Sequence, residues 1–267
     1  MTQHTIPTAI LLSLAAGAFA FGAAPQQMPT RPTPPTVERM PDGTMRLGDI
    51  RIDTAKHEIS MPGVVNDVTM LEWVANTQGG MKAYESLLTL QTTGVAFNTA
   101  MLLAGVDPAR SRVPTRHFDP VPPAGDAVEI WVDWDVYPPN SPFSRLPLST
   151  TGRVPTGMRQ GQPLSHKHVR IEQLLYDKRT NETLPEGPWV YTGSSFVPGM
   201  NPQDPRRYLA DLDGVLIGFV HSPAPIIENP RAGAVGAFGY VIPNPKIGLV
   251  PGGWVILTIK VLDRKLP

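Results

Sequence analysis

The sequence predicts a mainly β, α+β domain: antiparallel or mixed sheets packed with one short buried helix at about residues 94–105. Three observations carry that reading. Residues 128–136 and 254–262 alternate apolar and polar side chains with the period of two that a half-buried strand requires. One stretch, residues 94–104, combines the cap, the apolar run and the stop signal of a helix. Proline fills 31 of 267 positions, over twice the usual ~5%, and each proline lacks a donor and clashes with a preceding helical turn.

Taken in order, residues 9–21 form an apolar run with a small-x-small site at Ala18-Phe19-Ala20, read as a signal peptide over residues 1–20. Residues 21–45 carry Pro25, Pro29, Pro32, Pro34, Pro35 and Pro41 and read as an extended tether. The folded domain is expected over 46–267, with two subdomains conceivable at about 46–110 and 127–267. Short strands are expected at 50–52 and 58–61. Residues 68–75 and 82–90 suggest a hairpin across Asn76-Thr77-Gln78-Gly79-Gly80. Thr92 or Thr93 can cap the helix, Gly105 suits its left-handed end, and Pro108 forbids continuation. That helix is apolar nearly all round, which predicts full burial. The stretches 107–126 and 137–165 read as long proline-rich connections.

In residues 128–136, Val128, Ile130, Val132, Trp134 and Val136 share the inward face, opposite Glu129, Asp133 and Asp135. A helical turn is expected at 171–176. Residues 208–210 and 215–220 flank Asp211-Leu212-Asp213-Gly214, a hairpin signal. In the last strand Val255, Leu257, Ile259 and Val261 point inward.

The chemistry is bounded by composition. With 23 basic and 23 acidic residues the net charge is +0, so no strong electrostatic case exists for nucleic acid or an anionic membrane. Zero cysteines exclude disulfides, thiolate nucleophiles, Cys-ligated zinc and iron–sulfur clusters. Beyond the leader, no stretch is long and apolar enough to span a bilayer. His166 and His168 fall on one strand face and are weak candidate metal ligands that need a third partner. Asp133 and Asp135 share a face and are weak acid/base candidates; a solvated outer face is the simpler reading. Gly193-Ser194-Ser195-Phe196-Val197 lacks the closing glycine of a nucleophile elbow. No cofactor is indicated.

Five segments in order also carry a resemblance: Leu71-Glu72-Trp73; Lys82-Ala83-Tyr84-Glu85-Ser86-Leu87-Leu88; the helix ending Leu102-Leu103-Ala104-Gly105; Trp189-Val190-Tyr191-Thr192-Gly193-Ser194; and Tyr208-Leu209-Ala210-Asp211 with Gly214. Together they resemble the YdjY-domain family of exported bacterial proteins, over roughly residues 48–261. The resemblance implies an envelope location, periplasmic or extracellular, and no established reaction. The family pattern has His-Glu-Ser where this chain has Tyr84-Glu85-Ser86, and tyrosine is a poor substitute for an imidazole ligand or base.

The resulting expectation is a non-enzymatic binding or structural module for an envelope protein or a glycan, presenting aromatics such as Trp131 and Tyr137 on a rigid sheet. Glu72, Tyr84, Glu85, Ser86, Ser194 and Asp211 are the candidate ligand-binding or structural polar cluster. The alternatives are a hydrolase with a carboxylate-based site among Glu72, Glu85, Asp133, Asp135 and Asp211, and a metal-binding protein using His166 and His168.

Overall fold

A computed structural model describes residues 36–137, 164–231 and 240–262. The leader, most of the proline-rich tether and nearly all of the 137–165 connection lie outside the described residues. The strands are β1 (Val37–Arg39), β2 (Met45–Leu47), β3 (Ile50–Asp53), β4 (Glu58–Val65), β5 (Trp73–Thr77), β6 (Ser86–Leu90), β7 (Ala127–Val136), β8 (Ser165–Arg170), β9 (Leu175–Asp177), β10 (Glu182–Thr183), β11 (Trp189–Tyr191), β12 (Phe196–Val197), β13 (Arg207–Tyr208), β14 (Val215–Gly218), β15 (Ile227–Glu228), β16 (Val241–Pro243) and β17 (Trp254–Val261). Helix α1 covers Gly94–Ala104 and α2 Leu209–Asp213. The fold is therefore β-dominated with a minority of helix.

Eight strands close on themselves. Following the pairings, β4 bonds β17, then β7, β11, β15, β14, β5 and β6, and β6 returns to β4. This is a barrel with mixed strand directions, and β1–β3 extend it from β4 while β8 extends it from β7. Strands on both sides of residue 110 share this one sheet. The edge strand β1 begins at Val37, inside the 21–45 stretch.

The branch in β4 follows from its sequence. Residues 58–60 pair with β3, and residues 63–65 pair with β6. Pro62 stands between these partners with no N–H to donate. Gly63 lets β6 come close, since a Cβ there would lie 2.8 Å from Leu90 Cδ2.

The two alternating segments become β7 and β17, hydrogen-bonded to each other. Val128, Ile130, Val132 and Trp134 are buried, as are Val255, Leu257, Ile259 and Val261. These residues join one continuous core. Helix α1 has the expected ends: Thr93 Oγ1 accepts from Ala96 N–H, and Gly105 adopts φ 110°. Its burial is a correction. Phe97, Ala100, Met101 and Ala104 are enclosed, but Val95 and Leu102 are exposed, so only one side of the helix meets the barrel.

Two hairpins are also corrected. The strands β5 and β6 pair parallel, with Trp73 opposite Ser86. Residues 78–85 turn at Gly79 (φ 75°) and return along the strand through a 3-10 turn at Ala83–Glu85. The Asp211–Gly214 stretch is the short helix α2, ended by Gly214 at φ 76°. Gly214 is needed twice there, because a Cβ would lie 2.5 Å from Gly80 Cα. The strand that follows pairs with β5 and, in parallel, with β15. The helical turn at 171–176 is shorter than expected, a 3-10 turn over Ile171–Leu174.

Candidate functional site

Parallel pairing of β5 and β6 fixes the site. Glu72 and Glu85 each immediately precede one of these strands, so pairing in register sets them side by side, with Glu72 N–H donating to Glu85 O at 3.0 Å. Glu85 is well supplied: Lys82 Nζ donates to its Oε1 at 2.7 Å and Trp73 Nε1 at 3.3 Å. Glu72 is not. Its side chain is 8% exposed, and its Oε2 lies 3.7 Å from His117 Nε2, beyond hydrogen-bond range. Burial, then the charge of Glu85, hold the Glu72 carboxyl above its ordinary range, against the pull of Lys82. Burial, then Lys82, hold His117 below the ordinary histidine value. Both shifts favour neutral forms at their contact.

His117 arrives from the 107–126 connection. Asp119 staples that segment: its carboxylate accepts Thr115 N–H at 2.8 Å, Thr115 Oγ1 at 2.7 Å and Val121 N–H at 3.0 Å. These bonds, the Val121 one foremost, hold Asp119 down to about 2. Phe118 adopts φ 54°, a conformation that costs a bulky residue and recurs at functional sites. Its ring lies 4.0 Å from that of His117, which in turn lies 5.6 Å from Trp73. Burial holds the Asp213 carboxyl above its ordinary range, against the pull of Lys82. Met81 and Tyr84 are exposed at the rim.

Other expected residues fall elsewhere. Tyr84 OH accepts from Lys82 Nζ at 3.3 Å. Ser86 Oγ donates to Lys82 O at 2.7 Å, and Ser194 Oγ donates to Ala224 O at 2.6 Å, so each hydroxyl proton is committed. Asp211 caps α1, accepting Val95 N–H at 3.2 Å across the chain.

The structure joins two pairs that sequence treated separately. On the outer face of β7 and β8, His166 Nδ1 lies 2.9 Å from Asp135 Oδ1 and its Nε2 3.3 Å from Asp133 Oδ1, while His168 Nδ1 lies 2.7 Å from the same Asp133 oxygen. The bond to Asp135 leads in raising His166 above the usual histidine range. Trp131 stacks flat on His168 at 4.7 Å. Among the described residues, no group of three or more His, Asp or Glu is arranged to hold a metal ion; the imidazoles here are bonded to carboxylates.

Among the described buried carboxylates the sequence did not single out, Glu172 and Glu228 are the two wholly enclosed ones, and neither competes with Glu72. Glu172 Oε1 alone accepts from Trp189 Nε1 (3.0 Å), Arg231 Nη2 (2.9 Å), Arg170 Nη2 (3.2 Å) and Gly187 N–H (3.2 Å), a saturated structural network. Glu228 has a partnerless Oε2 and is raised well above the ordinary range by burial, but it is fully sealed from solvent. Glu72 combines enclosure, missing hydrogen bonds and half-exposed neighbours.

No family model, curated protein or solved structure matches the chain. Among the described residues no helix is long and apolar enough to cross a membrane.

Proposed function

We propose that the chain is an exported envelope protein, akin to the YdjY-domain family, whose folded part is a binding module engaging a partner through the Glu72–Lys82–Glu85–His117 mouth. One observation carries this: the largely covered Glu72 carboxyl stands beside Glu85, and its printed side-chain contact is the half-exposed His117 at 3.7 Å. A carboxyl that the protein largely covers, with no protein donor within hydrogen-bond range and half-exposed His117 beside it, fits an acceptor that a ligand's donor completes.

The arrangement of the five resembling segments supports the reading. Glu72 and Glu85 adjoin each other, Asp211 caps α1, Tyr208 OH donates to Gly193 O at 2.8 Å, and Tyr191 OH donates to Asn98 at 2.7 Å. Segments far apart in the chain thus hold one another around α1.

The direct test is affinity capture from the organism's own envelope fraction, with Glu72→Gln as the paired bait. A partner retained by the native domain and lost with the folded variant supports the reading; equal retention contradicts it. A carboxylate hydrolase remains the second reading, favoured by the opposite shifts of Glu72 and His117, which suit a general acid and base. It requires turnover that disappears in Glu72→Gln.

A further inference from the structure

We propose that His221, doubly protonated and balanced by Glu228, is a buried latch that holds His117 against Glu72. This names a regulation of the mouth and rests on the binding reading above. The His221 side chain is wholly enclosed. Its Nδ1 lies 2.9 Å from Asp119 O, and its Nε2 lies 2.9 Å from Asn229 O. A backbone carbonyl only accepts, and a neutral imidazole has only one N–H. With a single proton, the second nitrogen would set its lone pair against a carbonyl oxygen. Neither carbonyl is free to turn aside. Asn229 N–H donates to Gly218 O at 3.1 Å and its Nδ2 donates to Phe219 O at 3.3 Å. The Asp119 carboxylate is tied to Thr115 and Val121. The two acceptors therefore call for the imidazolium.

A buried cation needs a compensating charge. Glu228 directly precedes Asn229, and its Oε1 accepts at 3.1 Å from the N–H of Ser222, the residue after His221. Its Oε2 is buried without a partner. A proton kept there would be a donor with no acceptor; on the His221 ring the same proton meets a carbonyl. Burial pushes the Glu228 carboxyl up and opposes this transfer. The charged ring acts the other way, because its hydrogen bonds are roughly twice as strong as neutral ones. Arg231 is engaged elsewhere, donating to Asn229 Oδ1 at 2.8 Å and to Glu172 at 2.9 Å. The latch grips the loop twice: His221 O accepts Phe118 N–H at 2.8 Å, and the ring holds Asp119 O. Phe118, at φ 54°, keeps a conformation that persists only where its surroundings over-determine it. Loss of the second ring proton turns a lone pair on Asp119 O, frees Phe118 and lets His117 leave Glu72.

The test is nitrogen-15 NMR of the histidine rings in the full chain. At neutral pH His221 is expected to show two protonated ring nitrogens with slowly exchanging protons; a single protonated nitrogen overturns the proposal. Glu228→Gln removes the counter-charge at nearly constant volume and is expected to strip one of these protons. Amide exchange at Phe118 is then expected to quicken about tenfold or more, the worth of one net hydrogen bond, with β7 and β17 unchanged. Two retained ring protons in the folded variant overturn the proposal. A pH series on the native protein needs no variant: the nuclear Overhauser contact between the His117 and Trp73 rings is expected to fade where His221 loses its second proton. A contact that persists beyond that pH overturns the latch. These signals require no ligand, so equal partner retention with Glu72→Gln removes the binding reading and leaves the latch standing.

Discussion

Glu72 differs from the other enclosed carboxylates in what its oxygens touch. The Glu172 carboxylate takes four donors through one oxygen, whereas Glu72 has only a 3.7 Å contact. Its raised titration has a stability consequence with a definite sign. A carboxyl whose folded pKa is raised stabilises the fold most below its unfolded value, and this contribution is lost as pH rises through the folded pKa. Glu72→Gln is therefore expected to melt higher than the native protein at alkaline pH, with the difference shrinking on acidification toward pH 4, as thermal melts across a pH series would show. His166 titrates in the same sense. Its folded pKa is raised, so its contribution is present below the unfolded value of 6.5 and fades as pH rises past the folded one. Histidine ring NMR is expected to give a His166 midpoint above 6.5 that drops in Asp135→Asn; an unmoved midpoint would contradict the bond at 2.9 Å. At this scale the sequence grouped Glu72 with Tyr84, Glu85, Ser86, Ser194 and Asp211; the structure sets Glu72 beside Glu85, while Ser194 bonds Ala224 O and Asp211 caps α1. The sequence missed His117, which lies in a proline-rich stretch without periodicity and meets Glu72 only through the fold. Lys82 stood inside a recognised segment without being singled out.

At the scale of elements, α1 shows local chemistry being sufficient and then insufficient. Thr93 and Gly105 mark its ends in sequence and in structure. The second cap, Asp211 on Val95 N–H, comes from α2 and is invisible to any local reading. Asp211→Ala is expected to cost about 1 kcal/mol, the usual worth of a helix cap, measured by urea unfolding. A binding defect in that variant, with stability unchanged, would restore Asp211 to the ligand site. The β5–β6 pair was misread because Asn76-Thr77-Gln78-Gly79-Gly80 has ordinary hairpin chemistry. Strand direction there is instead set by partners distant in sequence, β14 beside β5 and β4 beside β6. Likewise the Asp-Gly signal near 214 marks a helix end, since a positive φ serves a turn and a helix C-terminus equally.

For the whole molecule, closure of the barrel is what no single segment reveals. Alternation in β7 and β17 shows which side is buried, but the return of β6 onto β4 depends on Gly63 and Pro62 within one strand. Gly63→Val is expected to destabilise by about 1–3 kcal/mol, as overpacking at a close contact does, and to raise hydrogen exchange first along β4 and β6. Leu257→Ala, in the strand joining β4 to β7, is expected to cost about 2–5 kcal/mol through the cavity it leaves. These two variants separate seam from core, because only the first concentrates its effect at one pairing. The barrel matters to function because the parallel pairing of β5 and β6 sets residues 72 and 85 side by side, with His117 against Glu72. The most direct measurement is the carbon-13 NMR titration of the Glu72 carboxyl in the native protein and in Glu85→Gln. Burial beside a second carboxylate predicts a midpoint above 4.5 that falls when Glu85 loses its charge. An ordinary midpoint, unmoved by that substitution, would contradict an enclosed and unbonded Glu72.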